Sequence, residues 1–440
     1  MGIIYLTVFL CVNTQRLHES SVPPPNWRNR TLFHGDNLKF LRAMNSESVD
    51  LIATDPPFNK GRDFHATPDS LASGAKFQDR WSWEQDVHND WVDQLTDDYP
   101  RLMEAIESAR YAHSDGMGAY ICFMAVRLLE MRRVLKPTGS IYLHCDPTAS
   151  HYLKAVMDAV FGWRNFVNEV LWLYKTGGMS KRWFGRKHDN VLLYSKTKKY
   201  TFNPLKEKSY LSHKYGFSNV EILQDENGIY TLAGMRDYWD IPALRGNQPE
   251  TVGYPTQKPV SLYERMLKAS SNPGDIVLDP FCGCATTLVA AEQLDRQWVG
   301  MDIWEGAHKL VRQRLEGTTG LFGDVVFTDK LPIRTDEGDQ AAPFLRVKVE
   351  VKEPDGPRWT RAQMYEHLLE QHGAVCQGCD RSFDDPRYLE LDHNTPRSDG
   401  GVNHVTNRIL LCGPCNKLKS NIYTLSGLRK ENKKRGYMHG

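Results

Sequence analysis

The sequence predicts an α/β protein built on a doubly wound, mostly parallel sheet, followed by a much smaller, metal-stapled second domain. Three observations carry this reading. Short apolar runs alternate with segments of helical spacing through about residue 316. Two of those runs stop at an acidic residue locked by proline, Asp55-Pro56-Pro57-Phe58 and Asp279-Pro280-Phe281. Near the C-terminus, Cys376, Cys379, Cys412 and Cys415 form two Cys-x-x-Cys pairs.

Pro23-Pro24-Pro25 separates residues 1–26, expected to be a disordered tail, from the first regular segment. Thr31 to His34 reads as a strand, Asn37 to Met44 as a helix and Val49 to Thr54 as the next strand. Residues 61–115 read as an acidic insertion, partly helical around Trp91 to Ala109. A helix through Phe123 to Leu135, a Lys136-Pro137-Thr138-Gly139 turn and the strand Ser140 to His144 follow. Next come a helix over Ala149 to Val160 and strands at Val167 to Leu173 and Val191 to Tyr194. The helix Pro259 to Ser270, the strand 276–278, the helix Thr287 to Gln293 and the strand Gln297 to Asp302 complete a Rossmann-like alternation. Residues 317–358 read as a connecting region holding one alternating strand, Phe344 to Val351. Residues 359–421 read as the small domain, and 422–440 as a basic tail.

The 440 residues suffice for two or three domains, and the net charge of +1 advertises no polyanion globally. Locally the balance shifts. Arg164 to Lys214 holds twelve Lys/Arg against three acids, interleaved with Trp172, Trp183, Phe184, Tyr194, Tyr200 and Tyr210. That mixture suits contact with phosphates and stacking on bases. Asp63 to Asp115 holds twelve acids against four bases and is expected to face away from nucleic acid. The nine cysteines show no regular framework, which points to a reducing compartment. Ile3 to Val12 is apolar, but it lacks a basic n-region and is too short to span a bilayer. A soluble, cytoplasmic protein with no membrane partner is expected.

Two proline-locked carboxylates at strand ends suggest opposite walls of one cleft at the carboxyl edge of a parallel sheet. An acid beside a flat aromatic, Asp55 beside Phe58, suits a planar base with an amino donor. In Asp279-Pro280-Phe281-Cys282-Gly283-Cys284-Ala285-Thr286, Gly283 permits close backbone approach to a ligand. The absence of a Lys-Ser/Thr ending argues against a phosphate loop and for a zwitterionic methionine moiety with its sulfonium. Asp302 ends the next strand, where a carboxylate grips ribose hydroxyls in folds of this type.

With these motifs in this order, residues 27–316 resemble the beta group of amino-methylating DNA methyltransferases, adenine-N6 or cytosine-N4. The resemblance implies S-adenosylmethionine as cofactor and double-stranded DNA as partner. By this match Asp55, Pro56, Pro57 and Phe58 form the catalytic tetrapeptide, and Asp279, Phe281, Gly283 and Thr286 belong to the cofactor loop. Lys258, in Tyr254-Pro255-Thr256-Gln257-Lys258-Pro259, would help hold the methionine end, and Asp36 would reach the cofactor's adenine. Two departures stand out: Cys284-Ala285 where the family more often has Ser-Gly, and Asp302 where Glu is common. Asp55 and the Pro56 carbonyl would accept the amine's hydrogens while Phe58 stacks on an extruded base, so no cysteine nucleophile is required. An initial Asp leans toward adenine N6, with cytosine N4 as the alternative. Target recognition is expected within residues 164–250. The resemblance also implies a homodimer.

The cysteine spacing suits structural zinc. Between the pairs, Leu391-Asp392-His393-Asn394-Thr395-Pro396-Arg397-Ser398-Asp399-Gly400-Gly401, then Asn407 and Asn416, resemble the HNH endonuclease family with its ββα-metal fold. That match implies His393 as general base and Asn407 as the residue orienting the active-site loop. Asp392 and Asn416 would hold a divalent ion, magnesium by the match. The final motif residue is Asn416 rather than His. The whole chain thus reads as a restriction-modification-like fusion of prokaryotic or phage type: a methyltransferase with an endonuclease that cuts or nicks DNA. Its rivals are a methyltransferase whose zinc domain only grips DNA, a regulator with a dead transferase, and an RNA methyltransferase.

Overall fold

The computed structural model describes residues 24–174, 181–212, 220–319, 325–336, 359–394, 402–419 and 423–438. At its centre is a nine-stranded sheet. In chain order its strands are β1 (Thr31–His34), β2 (Val49–Thr54), β3 (Leu135–Cys145), β4 (Phe166–Leu173) and β5 (His188–Ser195). They continue with β6 (Tyr238–Asp240), β7 (Ile276–Asp279), β8 (Gln297–Asp302) and β9 (Val326–Thr328). Side by side they run β6-β4-β5-β3-β2-β7-β8-β1-β9. Every pair is parallel except those of β5 with β3 and β4.

The helices on this sheet are α1 (Asn37–Ala43), α2 (Asn89–Asp98), α3 (Pro100–Ala112), α4 (Asp115–Val134) and α5 (Ser150–Met157). Then come α6 (Val260–Ser270), α7 (Thr286–Gln293) and α8 (Ala307–Thr319). Alternation along the strands divides the apolar interior in two. Ile52 and Leu278 face the core built with α1, α3, α4 and α5. Their neighbours Leu51, Ala53 and Val277 face the core built with α6, α7 and α8. A sheet buried on both faces explains why its strands read as continuous apolar runs.

Strand β7 leads through α7 to β8 on one side, whereas β2 lies against β3 on the other. The order therefore reverses between β2 and β7, which pair in parallel with Leu51 opposite Val277 and Ile52 opposite Leu278. In doubly wound sheets that reversal opens a crevice at the strands' carboxyl ends.

Several expectations need adjustment. The helix read from Phe123 begins at Asp115, capped by the Ser114 side chain accepting from the Met117 amide, so the insertion ends earlier. Residues 136–139, expected to be a turn, belong to β3, whose register with β2 shifts between the pairs Val49/Leu135 and Leu51/Ser140. The helix α8, with Ala307, Leu310, Val311 and Leu315 buried at helical spacing, had no separate expectation. The connecting region is only partly a connector: β9 pairs with β1, and Thr335 and Asp336 bond to Asn45 and Ser46. The expected strand Phe344 to Val351 lies outside the described residues, as does most of the N-terminal tail.

The C-terminal domain consists of α9 (Arg361–His372), the antiparallel pair β10 (Leu389–His393) and β11 (Arg408–Cys412), α10 (Gly413–Lys419) and α11 (Leu425–Lys434). Residues expected to be a basic tail instead form α11. Thr424 caps that helix, Leu428 is fully buried, and Asn432 donates to the Gly378 carbonyl at 2.9 Å. Its basic residues occupy the other face, so composition alone read it as a tail.

Candidate active sites

The crevice between β2 and β7 opens into a cavity of about 1350 Å³. Asp36, Asp55, Phe58, Lys258, Asp279, Phe281, Gly283, Thr286 and Asp302 all line it. Single small-molecule sites usually measure about 300–1,000 Å³. This one has room for two ligands side by side. The two acidic turns, more than two hundred residues apart in sequence, thus share one hollow.

On the β2 side, Lys258 donates to Asp55 Oδ2 at 2.6 Å. Its ammonium also lies 4.9 Å from the centre of the Phe58 ring, a cation–π contact. Lys258, expected to help hold the methionine end, thus bonds to the first residue of the Asp55-Pro56-Pro57-Phe58 tetrapeptide while lining the same cavity. The other carboxylate oxygen, Asp55 Oδ1, is buried and has no hydrogen-bond partner among the described residues. A buried acceptor left open beside an aromatic ring is suited to an amine hydrogen from a ligand.

On the β7 side, Asp279 is 2% exposed. Its Oδ1 accepts from the Thr54 hydroxyl at 2.7 Å and the Phe281 amide at 3.1 Å, and its Oδ2 accepts from the Thr287 hydroxyl at 2.6 Å. Burial pushes this carboxyl up to about 7. Asp302 accepts from the Gly283 and Trp304 amides at 2.8 and 2.7 Å, and burial pushes it up to about 6. Both acids therefore shape the loop between β7 and α7 as well as facing the cavity. Gly283 sits at φ +49°, and a Cβ there would lie 3.0 Å from the Tyr254 ring. Ala285 holds a left-handed φ of +65° without being glycine, as the residue capping α7. At the far end, Asp36 caps α1 and pairs with Arg127 at 2.8 Å.

Sequence reasoning missed three groups around Asp55. Asp79, from the acidic insertion, accepts from the backbone amides of Asn59 and Lys60 at 2.6 and 2.9 Å, clamping the loop after the tetrapeptide. His144, at the end of β3, faces Asp55 Oδ1 with its Nδ1 at 3.4 Å. Asp189, on β5, meets the other ring nitrogen of His144 at 3.2 Å. No spacing signal marks Asp79; His144 ends an apolar run that read as core, and Asp189 lies in the polar stretch Lys187 to Asn190 just before another.

In the C-terminal domain, the sulfurs of Cys376, Cys379, Cys412 and Cys415 lie within 4.8 Å of one another. Tetrahedral zinc, with Zn–S near 2.3 Å, requires sulfurs about 3.8 Å apart. Cys379 and Cys412 are 3.9 Å apart, and the Cys412 amide and Asn432 side chain donate to Cys376 and Cys415. Hydrogen bonds to sulfur favour the thiolate, so the four residues fit a structural zinc.

His393 is buried at the end of β10, and the Asn407 carbonyl accepts from the Asn394 amide at 2.7 Å. Arg408 lies 3.2 Å from His393 Nδ1. Asp392 pairs with the buried Lys419 at 2.9 Å, and Asn416 donates to Glu390 at 2.5 Å. The structure thus gives Asp392 and Asn416 separate partners, Lys419 and Glu390. Unexpectedly, Asp97 from α2 reaches this centre: its carboxylate lies 3.3 Å from His393, 3.7 Å from Arg361 and 3.9 Å from Arg408.

Fold and site define a group-transfer enzyme with two adjacent ligand places at a sheet switch point, joined to a cysteine-stapled domain centred on a histidine. The chain belongs to the DNA methylase family that acts at N6 and N4, whose model matches residues 49–313, and it carries an HNH endonuclease domain matched over residues 376–421. It is 28% identical over 298 residues to the type II methyltransferase M.HpaI of Haemophilus parainfluenzae, covering 68% of this chain and 77% of that one. It is 29% identical over 292 residues to the DNA adenine methyltransferase YhdJ of Escherichia coli K12, covering 65% and 83%. Among solved structures, the M1.HpyAVI–SAM complex aligns at 18% identity and a TM-score of 0.38, covering 65% of this chain and 98% of that one.

Ala285→Gly relieves a left-handed alanine in the cofactor loop. It is expected to stabilise the protein by about 1 kcal/mol, read as a higher denaturant midpoint with methyl transfer retained.

Proposed function

We propose that the chain transfers the methyl group of S-adenosylmethionine to the N6 amine of adenine in double-stranded DNA. The observation that carries this is the open, buried Asp55 Oδ1 next to Phe58, in the same hollow as the Asp279–Gly283 loop. S-adenosylmethionine, when bound, supplies an electrophilic methyl group. Asp36, Asp279, Phe281, Gly283, Thr286 and Asp302 are the residues that would hold it. Lys258 fixes Asp55 through Oδ2, so Oδ1 is presented to the amine in one orientation. Accepting an amine hydrogen there favours release of the nitrogen lone pair from the ring, and Phe58 supplies a face on which the base stacks. Adenine rests on the initial Asp of the tetrapeptide and on the adenine specificity named for the E. coli relative; cytosine N4 is the alternative.

The basic segment within 164–250 is proposed to read the target, with Trp183 and Phe184, 63% and 97% exposed, available for stacking. The HNH domain is proposed to cut or nick DNA with His393 as general base and Asn407 as loop-orienting residue. A divalent cation such as magnesium is part of this reading, with Asp392 and Asn416 as its oxygen donors in place of the Lys419 ammonium. Zinc at the cysteine quartet staples that domain. A homodimer and an intracellular setting complete the proposal; among the described residues no helix is long and apolar enough to cross a membrane.

Single-molecule sequencing of DNA from cells expressing the chain is expected to show N6-methyladenine at a fixed sequence, lost with Asp55→Ala. N4-methylcytosine would replace the adenine reading, and unmodified DNA would refute the transferase reading. Plasmid incubated with magnesium is expected to be nicked or linearised by wild type and left intact by His393→Ala, with prior methylation protecting it. Equal cutting of methylated and unmethylated plasmid would remove the restriction-modification aspect.

Because burial raises Asp279 to about 7 and Asp302 to about 6, both carboxyls gain protons as pH falls from 8 to 5. The cleft then loses negative charge facing a cationic cofactor. Affinity for S-adenosylmethionine is expected to weaken over that interval by calorimetry, and Asp302→Asn to flatten the lower part of the curve.

A zinc chelator is expected to melt the C-terminal domain selectively, because a domain this small depends on its metal. Differential scanning calorimetry of the full chain should show one transition lost while methyl transfer persists.

A further inference from the structure

We propose that His144 receives, through Asp55, the proton that the target amine must shed. The inference rests on the methyl-transfer reading above and concerns a step that reading leaves open. When the exocyclic nitrogen attacks, the N–CH₃ bond forms as the C–S bond breaks and its electron pair goes to sulfur. The nitrogen then holds one proton more than a neutral amine. Asp55 Oδ1 is the acceptor placed against it, and a carboxylate that can pass the proton on as it arrives is the stronger acceptor during the transfer itself.

Behind Asp55 lies a group arranged to take that proton. His144 is 1% exposed, and its Nδ1 faces Asp55 Oδ1 at 3.4 Å. Neither atom has another hydrogen-bond partner among the described residues. The ring's Nε2 lies 3.2 Å from Asp189 Oδ2, and the Tyr174 hydroxyl donates to Asp189 Oδ1 at 3.2 Å. Asp189 as a carboxylate only accepts, so Nε2 donates to it, and Nδ1 is the ring nitrogen that Asp55 Oδ1 meets once the amine has passed it a proton. A neutral ring held in one tautomer by a buried carboxylate is the arrangement by which serine hydrolases prepare a histidine to accept a proton. The 3.4 Å separation is longer than a hydrogen bond, as such contacts often are before substrate closes on them.

The surroundings favour an imidazolium once it forms. Burial works to raise the Asp189 carboxyl, but its contacts with His144, Lys258 and Tyr174 outweigh that and hold it below the usual carboxylate range. The ring packs edge-on against Trp172 at 5.6 Å and beside Phe58 at 5.4 Å. The titratable and charged groups around the pair are Asp55, Asp189, Tyr174, Lys258 and the Lys60–Asp146 ion pair. Transfer from Asp55 to Nδ1 restores the Asp55 carboxylate and leaves the cation between two anions. The proton departs to water when the products leave.

His144 acts through Asp55 and is therefore a positioning and relay residue. The test uses the full chain, long unmethylated DNA and saturating S-adenosylmethionine in single-turnover assays, so that cofactor affinity does not enter the rate. His144→Gln is expected to bind S-adenosylmethionine as wild type does and to lower the transfer rate by about 10²-fold. A second readout needs no turnover. In ¹⁵N-histidine-labelled protein, the resonance absent from His144→Gln should report a neutral Nε2–H ring, and Asp189→Asn should redistribute its tautomers while lowering the rate. If His144→Gln disturbs folding, Asp189→Asn decides alone. An unchanged rate, or a His144 tautomer indifferent to Asp189→Asn, would overturn the relay. Absence of methyl transfer by wild type would instead overturn the methyltransferase reading.

Discussion

The parallel pairing of β2 with β7 is the constraint on which the rest of the structure depends. With Ile52 opposite Leu278, the chain leaves both strands at the same edge, and Asp55 and Asp279 emerge into one crevice. The Thr54 hydroxyl bonds directly to Asp279, so the last residue of one strand holds the acid that ends the other. Strand pairing is specified by side-chain alternation, because a one-residue slip would exchange the two cores of the sheet. Leu51 and Ala53 face one core and Ile52 the other, so the register that satisfies packing also fixes the distance between the two acidic turns. Site geometry is in this sense a by-product of core packing.

The parts of this molecule that were legible in sequence are those whose signal is local. A proline-locked acid after an apolar run, a helix with buried residues at three- and four-residue intervals, and paired chelate turns each announce themselves within a few residues. Asp55, Asp279 and the cysteine quartet were found that way. Asp79, His144 and Asp189 were not, because nothing near them in sequence distinguishes a polar residue in a strand or loop from one that supports a catalytic group. Their roles arise from contacts across the sheet. Lys258 shows the intermediate case: its segment was recognised, but which side of the cleft its ammonium would serve depends on the turn before α6. The basic residues after position 421 misled for a related reason, since an amphipathic helix with few apolar positions has the composition of a tail.

Charge pattern also had a meaning that composition could not supply. The acidic insertion was expected to turn away from nucleic acid. Two of its acids also meet groups of the chain itself: Asp79 accepts from the loop after Asp55-Pro56-Pro57-Phe58, and Asp97 lies among His393, Arg361 and Arg408. A run of like charge repels a polyanion at long range, but at contact distance each acid finds the nearest donor or cation. Net charge over fifty residues therefore predicts the field of a segment and not the partners of its members.

Both centres resolve one physical problem in the same way. A motif carboxylate must be withdrawn from water to act on a ligand, yet an unpaired buried charge is strongly unfavourable. In the sheet crevice Lys258 neutralises Asp55, and in the C-terminal domain the fully buried Lys419 neutralises Asp392. The consequences differ with the oxygen each lysine engages and with what remains. Lys258 bonds Asp55 through Oδ2 and leaves Oδ1 buried beside His144 with no hydrogen-bond partner among the described residues, so the charge is balanced while one acceptor stays unused. Lys419 pairs with Asp392 at 2.9 Å from a fully buried position, so its ammonium fixes the orientation of that carboxylate. In each case the lysine is what lets a largely buried carboxylate keep its charge balanced and its orientation fixed.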